Sequence, residues 1–320
     1  MTLLTNNLSK HFAERITALQ GKRIGVVGDA MLDRFLWGDT DRISPEAPVP
    51  VIRTQRETLM PGGAANVANN IAALGGRAEL VGFAAADEAG KKLRAVLRKA
   101  GVTSHLFNLS RRMTTEKTRI IARGQQIVRV DREVTASLNK REHRTLLHMV
   151  LKKLPEWDAL VLSDYVKGVF DGALIAAIVR AAQKSHTPII ADLKPEHLLL
   201  ARGVTIVAPN EHEALLATKT TSFSLAGKFL SKRLRSAVLI TRGEHGMALF
   251  EKNKVRNFPA AAREVFDVAG AGDTVTAVLA LALGSGASLP DAVDLANRAA
   301  GIVVGKVGVA TVTPQELLRA

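Results

Sequence analysis

The chain contains 320 residues with 47% apolar and 23% charged side chains, which excludes an intrinsically disordered protein and allows one large domain or two modest ones. It contains no cysteine, which excludes disulfide bonds, thiolate zinc sites and cysteine nucleophiles together. Its formal net charge of +14 comes from scattered basic residues with one loose run, Lys228–Arg235, and only 4% of residues are aromatic, so we expect a cationic surface that attracts small polyanionic substrates rather than a nucleic-acid site.

The N-terminal segment Met1–Gln20 predicts an amphipathic helix with Phe12, Ile16 and Leu19 on one face. This segment lacks the apolar run of a signal peptide. No part of the sequence offers the roughly eighteen consecutive apolar residues that a membrane span requires. We therefore expect a cytoplasmic protein without a membrane partner.

From residue 23 onward, short aliphatic runs alternate with helical patterns. The aliphatic runs predict strands at Arg23–Gly28, Ala78–Phe83, Ala159–Leu162, Pro188–Asp192, Thr205–Ala208 and Ala237–Thr241. The periodic segments predict helices at Ala64–Leu74, Glu88–Ala100, Lys140–Lys153, Gly172–Gln183, Asn210–Ala217, Gly270–Leu283 and Leu289–Val304. Strands rich in Val, Ile and Leu that are separated by helices indicate an α/β fold, with a buried parallel sheet and helices on both of its faces.

Two stretches interrupt this alternation. Pro45–Arg53 is too rich in proline for a central strand, which favours an edge strand or a flap. Thr115–Asp131 alternates in polarity around Gly124, which is typical of a hairpin. We expect both stretches, within about residues 36–58 and 112–133, to form a small β lid over one end of the main sheet. The lid would be inserted in a single domain of residues 1–320, and two unrelated loops are the alternative.

The most informative motif is Asp267–Thr274, which reads Asp-Val-Ala-Gly-Ala-Gly-Asp-Thr and precedes a long apolar helix. The small residues Gly270, Ala271 and Gly272 would leave the backbone N–H groups of the helix N-terminus open to an anion. Asp273 beside them suits a base, and phosphoryl transfer needs an anion cradle next to a carboxylate that deprotonates the attacking hydroxyl. From these residues alone, the alternative is a closely packed helix capped by Asp273.

A second glycine motif, Pro61-Gly62-Gly63-Ala64-Ala65-Asn66, opens the first predicted helix. Together the two motifs resemble the signatures of the ribokinase-like (PfkB) carbohydrate kinases, in the order of that family and over nearly the whole chain. The resemblance implies a ribokinase-like three-layer α/β sandwich with a mostly parallel central sheet and a small β-sheet lid. It also implies an ATP-dependent phosphotransferase that acts on a sugar alcohol group.

Three further stretches, Gly28–Arg34, Arg42–Pro50 and Leu162–Gly168, are similar to one branch of this family. That branch phosphorylates O1 of D-glycero-β-D-manno-heptose 7-phosphate in the ADP-heptose pathway to the lipopolysaccharide inner core. Many members of the branch carry a fused adenylyltransferase domain with a His-x-Gly-His type motif, and none of the eight histidines here lies in such a motif. The resemblance therefore implies a kinase alone, with the nucleotidyl step on another protein.

On the sugar side, the resemblance implies that Asp273 is the catalytic base and that the N–H groups of Gly270, Ala271 and Gly272 bind the transferred phosphoryl group. It implies that the sugar is bound by Asp29, Asp33, Gly62, Gly63 and Asn66. The 7-phosphate needs cationic partners, for which the candidates are Lys117, Arg119, Arg123, Arg129 and Lys167. For each cation, a solvated surface position is an equally good interpretation, and taken alone the two aspartates are ordinary turn residues.

On the nucleotide side, Asn210-Glu211-His212-Glu213 resembles the Asn-x-x-Glu element of the family, which holds the metal-bound phosphates. We expect Glu213 to bind Mg²⁺ partly through water, and the same element can also form a helix capping box. Lys194 would contact phosphate oxygens, although Leu193 departs from the proline that relatives more often have there. The resemblance places the adenine nucleotide near Thr241, Arg242, Gly243 and Asn297, and in some relatives a monovalent cation near the positions of Asp267 and Gly305–Gly308.

Other enzyme classes are disfavoured by missing motifs. There is no P-loop and no His-Arg-Asp loop, and Val275 breaks the Gly-x-Gly-x-x-Gly pattern of a dinucleotide site. Two alternatives stay open: another sugar kinase of the same family, acting on fructose, ribose or a keto-deoxy acid, and a catalytically inactive sugar-binding regulator. We expect ATP and Mg²⁺ as cofactors and a homodimer formed through the lid.

Overall fold

The computed structural model describes residues 12–109, 111–262 and 265–319. Residues 12–18 form helix α1, and the predicted apolar face is buried at Ile16 and Leu19. Residues 1–11 of the predicted N-terminal helix lie outside the described residues. No helix among the described residues is long and apolar enough to cross a membrane.

The elements follow one another in the βα order that the sequence predicts. The strands are β1 (Arg23–Gly28), β2 (Ala30–Ile43), β3 (Pro50–Gly63), β4 (Arg77–Phe83), β5 (Thr103–Phe107), β6 (Thr115–Ala122), β7 (Gln125–Arg132), β8 (Ala159–Ser163), β9 (Ile189–Asp192), β10 (Ile206–Val207), β11 (Ala237–Thr241), β12 (Met247–Glu251) and β13 (Lys254–Phe258). The other helices are α2 (Ala64–Ala73), α3 (Glu88–Lys99), α4 (Lys140–Lys153), α5 (Gly172–Lys184), α6 (Pro195–Leu198), α7 (Glu211–Thr218), α8 (Phe223–Leu234), α9 (Ala271–Gly284), α10 (Leu289–Val303) and α11 (Pro314–Leu318).

A nine-stranded sheet forms the middle layer, in the order β13-β12-β11-β10-β9-β8-β1-β4-β5. Neighbouring strands from β11 to β5 pair in parallel, and β12 and β13 add an antiparallel hairpin at one edge. Successive residues of a strand point to opposite faces: Val26 lies in a core with α2, α9 and α10, and Val27 in a core with α4, α5 and α8. The predicted three-layer α/β sandwich is confirmed.

A second, four-stranded sheet has the order β3-β2-β6-β7. Strand β3, which begins at Pro50, is an edge strand, as the prolines predict. Strands β6 and β7 form the predicted hairpin, and its turn at Arg123 and Gly124 has φ angles of 50° and 77°, the positive values that tight hairpin turns favour. We call this four-stranded sheet the lid.

The lid is continuous with the central sheet. Strand β2 begins two residues after the end of β1, and β3 leads directly into α2 through Gly63. Gly63 has a φ of 57°, a backbone conformation that favours glycine, and the N–H of Ala64 donates to the carbonyl of Asp29. The two chain crossings therefore place the lid at the carboxyl end of β1, beside the N-terminus of α2.

Candidate active site

The predicted site residues converge at the carboxyl ends of the central strands, where α/β proteins bind ligands. Asp29 follows β1, Asp164 follows β8, and Asp192 ends β9. Two helices, α2 and α9, pack against each other and begin at this same edge of the sheet. Strand ends, helix N-termini and the lid thus meet at one edge of the central sheet.

Asp273 lies in the first turn of α9 with only 6% of its surface exposed. Its Oδ2 accepts a hydrogen bond of 2.7 Å from the amide of Asn66, in the first turn of α2. Its Oδ1 accepts a hydrogen bond of 2.7 Å from the hydroxyl of Tyr165, in the loop after β8. The carboxylate is therefore fixed by two separate elements.

A second pair of hydrogen bonds holds the two helices in register behind this contact. The hydroxyl of Thr274 donates to Asn70 Oδ1 at 2.9 Å, and Asn70 Nδ2 donates to the carbonyl of Asn66 at 2.9 Å. All of these side chains are buried, so the bonds are shielded from competing water. These bonds join α2 to α9 behind the contact between Asn66 and Asp273, without touching the carboxylate.

The start of α9 is open to a ligand. Gly270 is the N-cap residue, with a φ of 81°, and no side chain caps the helix. A Cβ placed on Gly272 would have no neighbouring atom within 4 Å. The N–H of Ala271 donates to the carbonyl of Val268 at 3.3 Å. Of the three N–H groups in the predicted anion site, those of Gly270 and Gly272 are therefore the more available to a ligand.

Buried carboxyl groups dominate the electrostatics around Asp273. Burial raises the pKa of Asp273 to about 6, and the charge of Asp33 adds to this rise, whereas the hydrogen bonds from Tyr165 and Asn66 and the charge of Lys194 lower the pKa. Burial also raises the pKa of Asp192 to about 7, against the lowering effect of Lys194. With pKa values in this range, the carboxyl groups of Asp273 and Asp192 can exist in both the protonated and the ionised form near physiological pH. Such groups are suited to exchange a proton with a substrate.

On one side of Asp273, the predicted phosphate-binding residues lie together. The ammonium of Lys194 pairs with Glu213 Oε1 at 2.5 Å and lies 5.2 Å from the ring centroid of Tyr165. Asn210 and Glu213 form the capping box that the sequence also predicts. Within the described residues, no group of three or more His, Asp or Glu side chains could hold a metal by itself, so a Mg²⁺ at Glu213 would need water or phosphate oxygens as further ligands.

The predicted adenine-nucleotide residues line a cleft of about 680 Å³ that also reaches Gly272 at the start of α9. Its wall contains Thr241, Arg242 and Gly243 on one side and Asn297 of α10 on the other. Arg242 is engaged, because its Nε donates to Glu211 at 3.0 Å and its guanidinium lies 3.7 Å from the ring centroid of Phe223. The amide of Asn297 donates to the carbonyl of Pro259 at 2.7 Å.

On the lid side, the two predicted sugar-binding aspartates differ. Asp33 in β2 pairs with Arg119 of β6, and a Cβ on Gly62 would lie 2.3 Å from its Oδ2; only glycine therefore leaves room for this carboxylate. Asp29 Oδ2 instead accepts the backbone N–H groups of Tyr165 at 2.8 Å and Lys167 at 3.1 Å. Asp29 thus fixes the loop after β8, a contact that the sequence does not indicate.

The predicted phosphate-binding cations all have carboxylate partners. These ion pairs are Lys117–Asp131, Lys167–Glu133, Arg119–Asp33, Arg129–Asp131 and Arg123–Asp39. Glu133 Oε2 also lies 3.6 Å from the ammonium of Lys117, so Lys117 and Lys167 lie near each other around one carboxylate. Which cations bind a phosphate stays a prediction.

Asp267 connects the two segments that the resemblance links to a monovalent cation. Its Oδ1 accepts the N–H of Ala269 at 2.9 Å, and its Oδ2 accepts the N–H of Gly308 at 3.1 Å. The carboxylate and the Gly305–Gly308 loop are therefore adjacent. Cation binding at this position stays a prediction.

Comparison with known proteins agrees with the fold. The model of the pfkB family of carbohydrate kinases matches residues 22–316. Phosphofructokinase-2 from Escherichia coli, solved in complex with potassium, superposes with a TM-score of 0.77 at 21% identity, over 94% of this chain and 97% of its own. Arabidopsis thaliana ribokinase, solved with ribose and ATP, superposes with a TM-score of 0.72 at 21% identity, over 94% of this chain and 98% of its own.

Among curated proteins, the chain is similar to Bifunctional protein HldE of Citrifermentans bemidjiense. The two are 43% identical over 315 residues, which is 96% of this chain and 64% of that protein. The chain thus spans just under two thirds of the length of this relative.

Replacing Asp273 by asparagine should stabilise the fold at pH 8, because the variant no longer buries a charge. A carboxyl whose pKa rises from 3.8 to about 6 on folding binds its proton more tightly in the folded chain, so the free energy of unfolding falls as the pH rises between these values. Such a shift corresponds to roughly 3 kcal/mol. Urea denaturation should show a gain of this order above pH 6 and little gain near pH 4.

The control for this experiment is Glu244→Gln, which removes the same charge from a side chain that is 87% exposed. It should show no pH-dependent gain. An Asp273→Asn variant that is no more stable than the parent at pH 8 would contradict the electrostatic account.

Proposed function

Because the chain belongs to the pfkB family of carbohydrate kinases, we propose that it transfers the terminal phosphoryl group of ATP to O1 of D-glycero-β-D-manno-heptose 7-phosphate. The product is the 1,7-bisphosphate, a precursor for the ADP-heptose pathway to the lipopolysaccharide inner core. The observation that carries this proposal is the buried carboxylate of Asp273 at the open N-terminus of α9, with a nucleotide-sized cleft on one side and the lid on the other. As ATP is the donor, the reaction belongs in the cytoplasm.

In the proposed reaction, Asp273 accepts the proton of the O1 hydroxyl while that oxygen forms a bond to the terminal phosphorus of ATP. The bond between this phosphorus and the bridging oxygen of ADP breaks, and ADP leaves. The backbone N–H groups at the start of α9, with the positive end of the helix dipole, stabilise the negative charge on the transferred phosphoryl oxygens. Base and anion site are adjacent because both belong to the first turn of one helix.

We place ATP in the cleft formed by Thr241, Arg242, Gly243 and Asn297, because that cleft ends at Gly272. Lys194 would contact the phosphate oxygens of the nucleotide. Glu213, together with water, would hold Mg²⁺, which neutralises phosphate charge when it is bound.

The sugar specificity rests on the three stretches that resemble the heptose 7-phosphate branch, since all three contribute to this site or to the lid. Gly28–Arg34 supplies Asp29 and Asp33, Leu162–Gly168 supplies the loop with Lys167, and Arg42–Pro50 connects β2 to β3. The cations Lys117, Arg119 and Lys167 lie on the same side as Asp33. Phosphate binding there would displace the carboxylates that now pair with them.

An ADP-release assay over a panel of sugars tests the substrate. We expect turnover with heptose 7-phosphate and a kcat/KM at least about a hundredfold lower for the same sugar without its phosphate, since charge-assisted hydrogen bonds to the phosphate would be lost. Reactions without enzyme and with Asp273→Asn serve as blanks. Preference for fructose, ribose or another unphosphorylated sugar would remove the proposed substrate and leave a different kinase of the same family.

Asp273→Asn should lower kcat by about a hundredfold or more, which is the contribution typical of a general base, with KM changed only a few-fold. The amide has the shape of the carboxylate, and Asn66 and Tyr165 can still form hydrogen bonds with it. Steady-state kinetics at saturating ATP would measure kcat and the KM for the sugar separately. Near-normal turnover would disprove the assignment of the base.

We propose that the lid also forms a homodimer. Val128 and Val130, two residues apart on one face of β7, are 45% and 54% exposed, and Ile43 at the end of β2 is 63% exposed. An exposed apolar patch of this kind marks an interaction surface. Light scattering should give twice the chain mass of 34.3 kDa. Val130→Asp in the lid should give a monomer, whereas Val255→Asp on the exposed strand β13 should leave the dimer intact. A monomeric parent protein would refute this interface.

A further inference from the structure

Tyr165 is the only tyrosine of the chain, and the reaction above assigns it no role. Its hydroxyl donates to Asp273 Oδ1, and its backbone N–H donates to Asp29 Oδ2. Its ring lies beneath the ammonium of Lys194 and against the turn into α2, since a Cβ on Gly63 would come within 3.3 Å of the ring. Few positions are left for this side chain, so the direction of its hydroxyl is determined by the fold.

A carboxylate base must present a free lone pair to the substrate, and rotation about its last bond would turn that lone pair away. Asp273 has one donor on each oxygen, from Tyr165 and from Asn66. Each carboxylate oxygen can accept a second hydrogen bond, so both donors can remain in place while the sugar hydroxyl binds. The pair of donors therefore fixes the plane of the carboxylate without blocking it.

The hydroxyl of Tyr165 is a permanent donor. Burial and the nearby charge of Asp273 raise the pKa of Tyr165 well above its ordinary value, so the phenol keeps its proton. Asp33 of β2, Asp192 at the end of β9 and Lys194 beyond that strand also act on Asp273. Tyr165 itself also faces Asp29, which accepts its backbone N–H and whose pKa burial raises to about 6. Burial and Asp33 favour the protonated form of Asp273, and Tyr165, Asn66 and Lys194 favour the carboxylate.

We propose that Tyr165 is a positioning residue for the base: its hydroxyl holds the carboxylate of Asp273 in the orientation, and in the ionised form, that accepts the proton of the sugar hydroxyl. This rests on the proposed function for the identity of the reaction. The contact itself can be tested without turnover. This contact with Asp273 distinguishes Tyr165 from Asp29. The carboxylate of Asp29 holds the same loop through backbone N–H groups and does not touch Asp273.

Tyr165→Phe keeps the ring against Lys194 and Gly63 and removes only the hydroxyl. The loss of one hydrogen bond to a charged group should move the acidic limb of the kcat/KM profile upward by about one to two pH units. Activity should therefore fall about two- to tenfold at pH 7 and recover toward the parent value at higher pH. A loss of equal size at every pH, or a profile identical to that of the parent, would overturn the proposal.

Thr274→Val is the matched control. It removes a buried hydroxyl and its hydrogen bond to Asn70, between the same two helices, without touching the carboxylate. Its acidic limb should coincide with that of the parent. A shift as large as that of Tyr165→Phe would show that packing between α2 and α9 sets the profile, which would also overturn the proposal.

A second measurement needs no substrate. Because the chain has one tyrosine, incorporation of 3-fluorotyrosine gives one fluorine NMR signal at residue 165. This signal should titrate with a large component near pH 6, as expected for Asp273. Asp273→Asn should remove that component and leave only the smaller effects of Asp29 and Asp192, whose pKa values burial raises to about 6 and about 7. If the signal titrates in this way and no sugar is phosphorylated, the proposed function fails and the contact stands; a signal unaffected by Asp273→Asn overturns the inference.

Discussion

The site depends on keeping one carboxylate available inside a pocket from which most water is excluded. Burial and the charge of Asp33 oppose ionisation of Asp273, and the amide of Asn66, the hydroxyl of Tyr165 and the charge of Lys194 support it. The donors come from separate parts of the chain, the first turn of α2 and the loop after β8. The central sheet holds these parts together, because parallel pairing of β8 with β1 places the loop after β8 beside the turn that leads into the lid.

The sequence predicts the central architecture well where strands are buried on both faces. The aliphatic runs at Arg23–Gly28 and Ala237–Thr241 match the observed strands residue for residue. Strands β5, β12 and β13, at or beside the edges of the central sheet, are missed. Strand β5 contains Thr103, Ser104 and His105, β13 is exposed over residues 254–257, and β12 is buried but follows β11 after a short connection. Edge strands pack on few neighbours, so their residues carry little of the hydrophobic pattern on which such predictions rest.

Sequence motifs identify the residues of the site more reliably than they predict the contacts between those residues. The small residues before Asp273 indicate an open helix start, and the structure has one. Tyr165 is separated from Asp273 by 108 positions, and no local pattern predicts a contact at that range. Asp192 is the last residue of a predicted strand, a position that could have been recognised as part of the ligand-binding edge. The role of Asp29 in fixing the next loop depends on backbone geometry, which composition and spacing do not contain.

Two of the connections between the lid and the core are short turns, one before β2 and one after β3. The lid leaves the central sheet at Asp29, whose carboxylate holds the loop of Tyr165, and it returns at Gly63, three residues before Asn66. These two turns also support both donors to Asp273, which are Asn66 and Tyr165. The lid and the two donors to the carboxylate therefore share the same two turns, so a substitution that displaces either turn would disturb sugar binding and orientation of the base together.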